Sequence, residues 1–197
     1  MAKREDKREL IIQAASECFA RFGYDKTTLD DIGKAVRLNK ASLYYYYKSK
    51  DDLFIEVILR ESTEYMTTLI GKVRLLNDPE AQILHFLIER LRYYKHVLNL
   101  HQLSVESLQT LEPVFDQLYE GVRQQEIEFL QTLVQRMAPV GESRKIAEML
   151  LLVADALKNK AVRDTGAWTN QNVDYSRIEV DTGYIIQLIM KGLKEGR

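Results

Sequence analysis

Three prolines (Pro79, Pro113 and Pro139) and nine glycines are all that interrupt 197 residues, so the chain has few places to break a helix. A β-rich fold of this length needs many tight turns, and turns draw on Gly and Pro for the backbone angles that other residues adopt poorly. Between the breakers, apolar residues recur every three or four positions, the period of an α-helix. The expectation is an all-α fold of about nine helices with no convincing strand. The hydrophobic share of 46% and charged share of 29% are ordinary for a globular protein, and the length suffices for one or two compact domains.

Individual helices can be read from their starts and stops. Leu10, Ile11, Ala14, Ala15, Cys18, Phe19 and Phe22 form one stripe, which Gly23 ends. Thr28 with Asp31 three residues on is a capping box, opening a short helix. Arg37-Leu38-Asn39 reads as a turn, with Asn39 capping the next helix. Ser49 and Asp52 open a longer one, and Asn77-Asp78-Pro79 starts the next, which continues to about Leu100. A short helix over Ser104–Leu111 is expected, then a long one from Glu112-Pro113 to Met137. After a break at Ala138–Gly141, helical periodicity runs from Ser143 to about Arg163, and a last helix covers Ser176 to Leu193. The intervening Thr165–Asp174 reads as an exposed loop.

Charge is uneven. Of 28 basic and 29 acidic residues, 11 and 7 lie in residues 1–50, which leaves 17 and 22 for the remainder. A basic head on an acidic body directs any polyanion to the head. The single cysteine, Cys18, rules out an intramolecular disulfide and fits a reducing compartment. The charged start MAKREDKREL does not resemble a signal peptide, and the longest apolar run, Met149–Ala154, is far too short for a membrane span. A cytoplasmic location with no membrane partner is expected.

Residues 28–47 have the dimensions of a helix-turn-helix, whose second helix enters the DNA major groove by its N-terminal end. Lys40 there can bond a phosphate or a guanine edge, Ala41 permits close approach, and Ser42 can bond phosphate or base. Four consecutive tyrosines follow, each turned by about 100° from the last. Leu43 and Tyr47, four apart, would pack inward, leaving Tyr44, Tyr45 and Tyr46 to face outward. A phenol lays an apolar ring against a sugar or thymine methyl and extends a hydroxyl to a phosphate. Lys48 and Lys50 add positive charge at the flank.

The patterns G-Y-x-x-T-T-x-x-x-I-G, from Gly23, and N-K-A-S-L-Y-Y-Y-Y-K-S-K-x-x-L-F, from Asn39, resemble the DNA-binding domain of the TetR family of transcriptional regulators over Glu5 to Tyr65. The resemblance implies a DNA-binding domain at 5–65 and a helical ligand-binding and dimerisation domain at 66–197. It implies a homodimer on a palindromic operator, released by a small-molecule effector and most simply a repressor. It also implies that Thr28, Lys40, Ala41, Ser42, Tyr44, Tyr45, Tyr46 and Lys50 hold the DNA-contacting positions. Three residues depart from the family pattern: Arg37 stands where the turn usually has Gly, Asp30 where some members carry a base-reading Arg, and Tyr46 where His is more usual.

Each functional reading has a plainer rival. Lys3, Arg4, Lys7 and Arg8 form either a solvated tail or an arm that touches phosphates. Met66, Phe86, Tyr93, Tyr94, Phe115 and Tyr119 are core residues or, with His85 or His96 at a polar edge, the lining of an apolar ligand cavity. Met149, Leu150, Val153 and Leu157, with Ile185, Leu188 and Ile189, close the monomer core or, by the resemblance, pair with their symmetry mates in a dimer. His85, His96 and His101 lack a metal-ligand spacing, and Asp30-Asp31 and Asp51-Asp52 suit helix N-termini better than a metal. No phosphate loop or nucleophile motif is present, so no cofactor and no catalysis are expected. The rival classes are a helical adaptor that binds protein and not DNA and, with less support, a metal-dependent all-α enzyme.

Overall fold

The structure, a computed structural model, describes residues 2–101, 103, 105–137, 141–164 and 175–195. Among the described residues there are eight helices and no strand: α1 Ala2–Phe22, α2 Leu29–Ala35, α3 Lys40–Tyr46, α4 Lys50–Val73, α5 Pro79–His101, α6 Val105–Met137, α7 Ser143–Asp164 and α8 Tyr175–Glu195. None is long and apolar enough to cross a membrane. The expected loop at Thr165–Asp174 and the break at Ala138–Val140 lie outside the described residues.

Two boundaries differ from the sequence reading. Helix α1 begins at Ala2, well before the apolar stripe, because Lys, Arg and Glu are good helix formers and need no core to stay helical. Helix α6 runs through Pro113 without a break, so the short helix expected at Ser104–Leu111 is the start of α6. Proline removes one hydrogen bond and is equally at home in a first turn, so Glu112-Pro113 reads as a start unless the turns before it also hold.

The chain forms two compact units, Met1–Ser62 with His96–Tyr119, and Thr63–Lys95 with Glu120–Arg197. In the first, Ile11, Ala15 and Phe19 of α1 are fully buried along with Ile32, Leu43, Leu53 and Val57. Phe19 meets Phe54 edge-on at 5.0 Å, and Tyr24 lies 4.6 Å from Phe54. A half-buried polar knot joins three helices: Ser16 donates to Glu61 at 2.6 Å, and buried His101 Nε2 lies 3.1 Å from the other Glu61 oxygen. Burial works against ionising Glu61, but the bonds from His101 and Ser16 outweigh it and hold the carboxyl below its usual range.

The second unit has its core in Ile83, Phe86, Leu130, Val134, Ala147, Leu150, Leu151, Ile186 and Met190, all without exposed surface. Buried Gln82 closes the end of α4: its amide nitrogen donates to the carbonyls of Val73 at 3.0 Å and Leu76 at 2.7 Å, groups that a helix terminus leaves unpaired. Arg90 joins α5, α6 and α7, donating to Glu126 at 2.7 Å and to Asp155 at 2.7 and 3.3 Å.

Candidate nucleic-acid interface

The interface is built from caps outward. Thr28 is extended at φ −114, ψ 158; its hydroxyl accepts from the Asp31 N–H while the Asp31 side chain accepts from the Thr28 N–H, completing the capping box. Those hydrogen bonds from Thr28 hold the exposed Asp31 carboxyl below its usual range. Asp30 pairs with Lys34 one turn on at 2.7 Å. Helix α2 ends in a turn where Leu38 N–H donates to Gly33 O at 2.8 Å, with Arg37 at φ 56. The left-handed region is one that L residues enter at a cost, which is why a Gly is at home there. A Cβ on Gly33 would lie 3.0 Å from the Leu38 carbonyl, so this turn needs the glycine for close approach.

Asn39 then caps α3, its side-chain oxygen accepting the Ser42 N–H at 2.8 Å. Seven residues follow, and their burial splits by helical phase. Leu43 is fully buried and Tyr47 is 3% exposed, whereas Tyr44 is 45% and Tyr45 66% exposed, with Tyr46 half-buried. The tyrosines singled out from sequence therefore present their surface to solvent on the helix that also carries exposed Lys40 and Ala41 and half-buried Ser42. Tyr45 and Tyr46 pack edge-on at 5.4 Å, and the Lys40 ammonium lies 5.8 Å from the Tyr44 ring centre.

Tyr47 is the structural member of the run. Its hydroxyl accepts from Arg8 Nε at 3.2 Å, and burial pushes it up to about 12 although Arg8 pulls the other way. Arg8 in turn grips both oxygens of Glu56, at 3.0 and 2.6 Å, and its guanidinium lies 5.5 Å from the Tyr47 ring centre. Arg8 is therefore not a free tail residue: it fastens α1 to Tyr47, at the end of α3, and to α4. Lys7 is exposed; the Lys3 and Arg4 side chains lie outside the described ones.

At the start of α4, Ser49 caps Asp52 N–H at 3.0 Å. Lys50 is half-buried, donates to the Tyr24 carbonyl at 2.9 Å, and lies 4.1 Å from the Tyr24 ring centre. Tyr24 escaped the site reading. Its signal was the Gly23-Tyr24 pair of the family pattern, but nothing in sequence links position 24 to position 50.

The other candidate residues fall elsewhere. Met66 and Phe86 are buried core, Phe86 packing on Phe129 at 5.1 Å. Tyr93 stacks on Tyr65 at 4.0 Å, and Tyr94 lies under the Lys158 ammonium at 4.0 Å. The structure removes His85 from Phe86's side: α5 buries residues 82, 83, 86, 87 and 91, and His85 falls on the outward face with His96. Phe115 and Tyr119 stack on each other at 5.0 Å and belong to the first unit, not the second. Among the proposed dimer residues, Leu150 is a correction, since it has no exposed surface and points into the monomer core. Met149 and Leu188 are 55% and 51% exposed, and Val153, Leu157, Ile185 and Ile189 are half-buried. Leu152, Val180 and Tyr184, exposed by 60%, 69% and 62%, complete that face and were missed. Their signal was the spacing: Leu152 is three from Met149, and 180, 184 and 188 are each four apart.

Two short capped helices, the second presenting lysine, serine and phenols to solvent on an otherwise all-helical chain, define a helix-turn-helix protein. The family model described as "Bacterial regulatory proteins, tetR family" matches residues 11–57. The biofilm operon negative transcriptional regulator IcaR of Staphylococcus epidermidis is 49% identical over 47 residues, 24% of this chain and 25% of that protein. The chain thus matches only about a quarter of that relative's length. In three dimensions the likeness extends further. A transcriptional regulator from Cytophaga hutchinsonii superimposes with a TM-score of 0.74 at 24% identity, covering 95% of this chain and 98% of that one. Thermus thermophilus FadR, a TetR-family transcriptional repressor solved with lauroyl-CoA, gives a TM-score of 0.65 at 19% identity, covering 91% and 93%. Residues 11–57 are thus similar to the TetR-family DNA-binding segment, and the chain as a whole shares its fold with these solved regulators.

Proposed function

We propose that this protein is a DNA-binding transcriptional repressor whose homodimer grips a palindromic operator and lets go when a small molecule binds. Residues 5–65 are assigned to DNA binding and 66–197 to ligand binding and dimerisation. The observation that carries the reading is the exposure of Tyr44 and Tyr45 on α3, beside exposed Lys40 and behind a properly capped N-terminus. Rings this exposed, on a helix that already anchors itself inward through Leu43, add little to the monomer core, which supports an external use. Thr28, Ala41, Ser42, Tyr46 and Lys50 complete the proposed contact set.

One seven-residue helix reads too few bases for tight binding, so two copies about 34 Å apart on one face of the duplex are required. The apolar positions left exposed on α7 and α8 are the proposed interface for that pairing. An effector class is supported by the lauroyl-CoA bound to Thermus thermophilus FadR: an amphipathic molecule with a long apolar part. The tyrosines of the second unit, Tyr93 and Tyr94, are the polar-edged residues proposed to meet it. Such a ligand lowers operator affinity only in so far as it prefers the DNA-incompetent conformation.

A gel shift with the duplex upstream of the protein's own gene tests the reading. The wild-type protein should retard it, and Tyr45→Ala combined with Lys50→Ala should abolish the shift while the protein keeps its size in solution. A wild-type protein that retards no such duplex at any salt concentration removes the proposal.

A further inference from the structure

We propose that Tyr24 is a positioning residue for Lys50, holding the ammonium in place at the start of α4 so that it meets a DNA phosphate already ordered. This rests on the DNA-binding reading above. A lysine free in solvent samples many rotamers and loses them when it binds, which weakens any contact it makes. Lys50 has surrendered that freedom in advance. Its Nζ donates to the Tyr24 carbonyl at 2.9 Å and lies 4.1 Å from the Tyr24 ring centre, within the range where a ring face attracts a cation. An ammonium carries three N–H groups, and the carbonyl takes one, which leaves two for phosphate oxygens.

Tyr24 is itself immobilised. Its ring is 6% exposed and packs against Phe54 at 4.6 Å and Phe19 at 5.9 Å. Its N–H donates to the His101 carbonyl at 2.8 Å, so the end of α5 fixes the peptide whose neighbouring carbonyl holds Lys50. Its hydroxyl donates to Asp51 Oδ1 at 2.5 Å, which ties the far end of the ring to the first turn of α4. Lys40 and Lys48 are both exposed, and Lys40 lies 5.8 Å from the Tyr44 ring centre, farther than Lys50 from Tyr24.

The test is a double-mutant cycle, read as fluorescence anisotropy on the duplex upstream of the protein's own gene, across a salt series. Lys50→Ala should weaken binding and flatten the slope of log affinity against log salt by about 0.9 for each Lys50 removed from the duplex. Tyr24→Leu should weaken binding about three- to fivefold when Lys50 is present, and should do nothing further in the Lys50→Ala background. Equal losses in both backgrounds mean that Tyr24 is merely structural and overturn the proposal. A Lys50→Ala protein with unchanged affinity and slope also overturns it, whereas a wild-type protein that binds no duplex defeats the DNA-binding reading itself. A second readout needs neither DNA nor a variant that folds. In the NMR spectrum of the free wild-type protein, the methylene protons beside the Lys50 ammonium should be moved upfield by the Tyr24 ring relative to those of exposed Lys48. Their absence from that upfield region would show that the ring does not hold the ammonium.

Discussion

Among the four tyrosines of α3 and its end, position alone separates two roles. Tyr47→Ala empties a buried site and unties Arg8, and should cost about 3–5 kcal/mol in urea unfolding, in the range of large aromatic truncations. Tyr45→Ala removes an exposed ring and should leave stability within about 0.5 kcal/mol while reducing DNA retention. A Tyr45 variant as unstable as the Tyr47 one would return the ring to a core role. Arg37 is a third informative residue. At φ 56 it occupies the left-handed region, so Arg37→Gly relieves strain but adds unfolded-state entropy. A net gain of up to about 1 kcal/mol in unfolding free energy is expected, and a loss would mean that the arginine side chain makes up for its backbone.

Helices are joined by a few polar ties whose failure is predictable. Arg90 is 13% exposed and Glu126 not at all, so Arg90→Ala leaves a carboxylate buried without its main counter-charge. A loss of about 3–5 kcal/mol is expected, far more than an exposed pair such as Lys34–Asp30 would show. Asp155, on α7, adds a pH dependence. Burial acts to raise its pKa, but Arg90, Lys158 and Arg123 together outweigh it and hold the carboxyl below the usual aspartate range. A depressed folded-state value means that the stabilisation is complete above the unfolded pKa, about 3.9, and fades as pH falls toward the folded one. Thermal unfolding of wild type and Asp155→Asn should therefore differ at pH 7 and converge on acidification below about pH 4. A gap that stays constant with pH would assign the difference to packing.

For the molecule as a whole, the exposed faces of α7 and α8 are the feature that a solitary chain does not explain. Val180, Tyr184 and Leu188 repeat every fourth residue along α8, and Met149 and Leu152 are exposed on α7. These exposed apolar rows are the proposed pairing surface, since large exposed apolar patches mark interaction sites. Tyr184→Glu with Leu188→Glu should convert the expected dimer to monomer in sedimentation, with helical content unchanged, and should weaken DNA binding by removing the second reading head. The same double variant remaining dimeric would place the interface elsewhere.

The all-helical class, most helix starts and the two short capped helices were legible in the sequence because caps and stripes act over three or four residues. Thr28 with Asp31, Asn39 with Ser42 and Ser49 with Asp52 each pair within one turn, and the inward phase of Leu43 and Tyr47 follows from the helical period alone. At Arg37 only the resemblance, which puts Gly at that turn position, pointed to an unusual backbone. Tertiary structure decided what depends on distant partners: Arg8 on Glu56, Lys50 on Tyr24, and His96–Tyr119 packed with the N-terminal unit. It also decided which face of an apolar run turns inward, sending Leu150 to the core and Leu152 to the surface. Periodicity shows that a helix has a greasy side, but when apolar residues cover more than one face only the neighbours that pack against it choose among them.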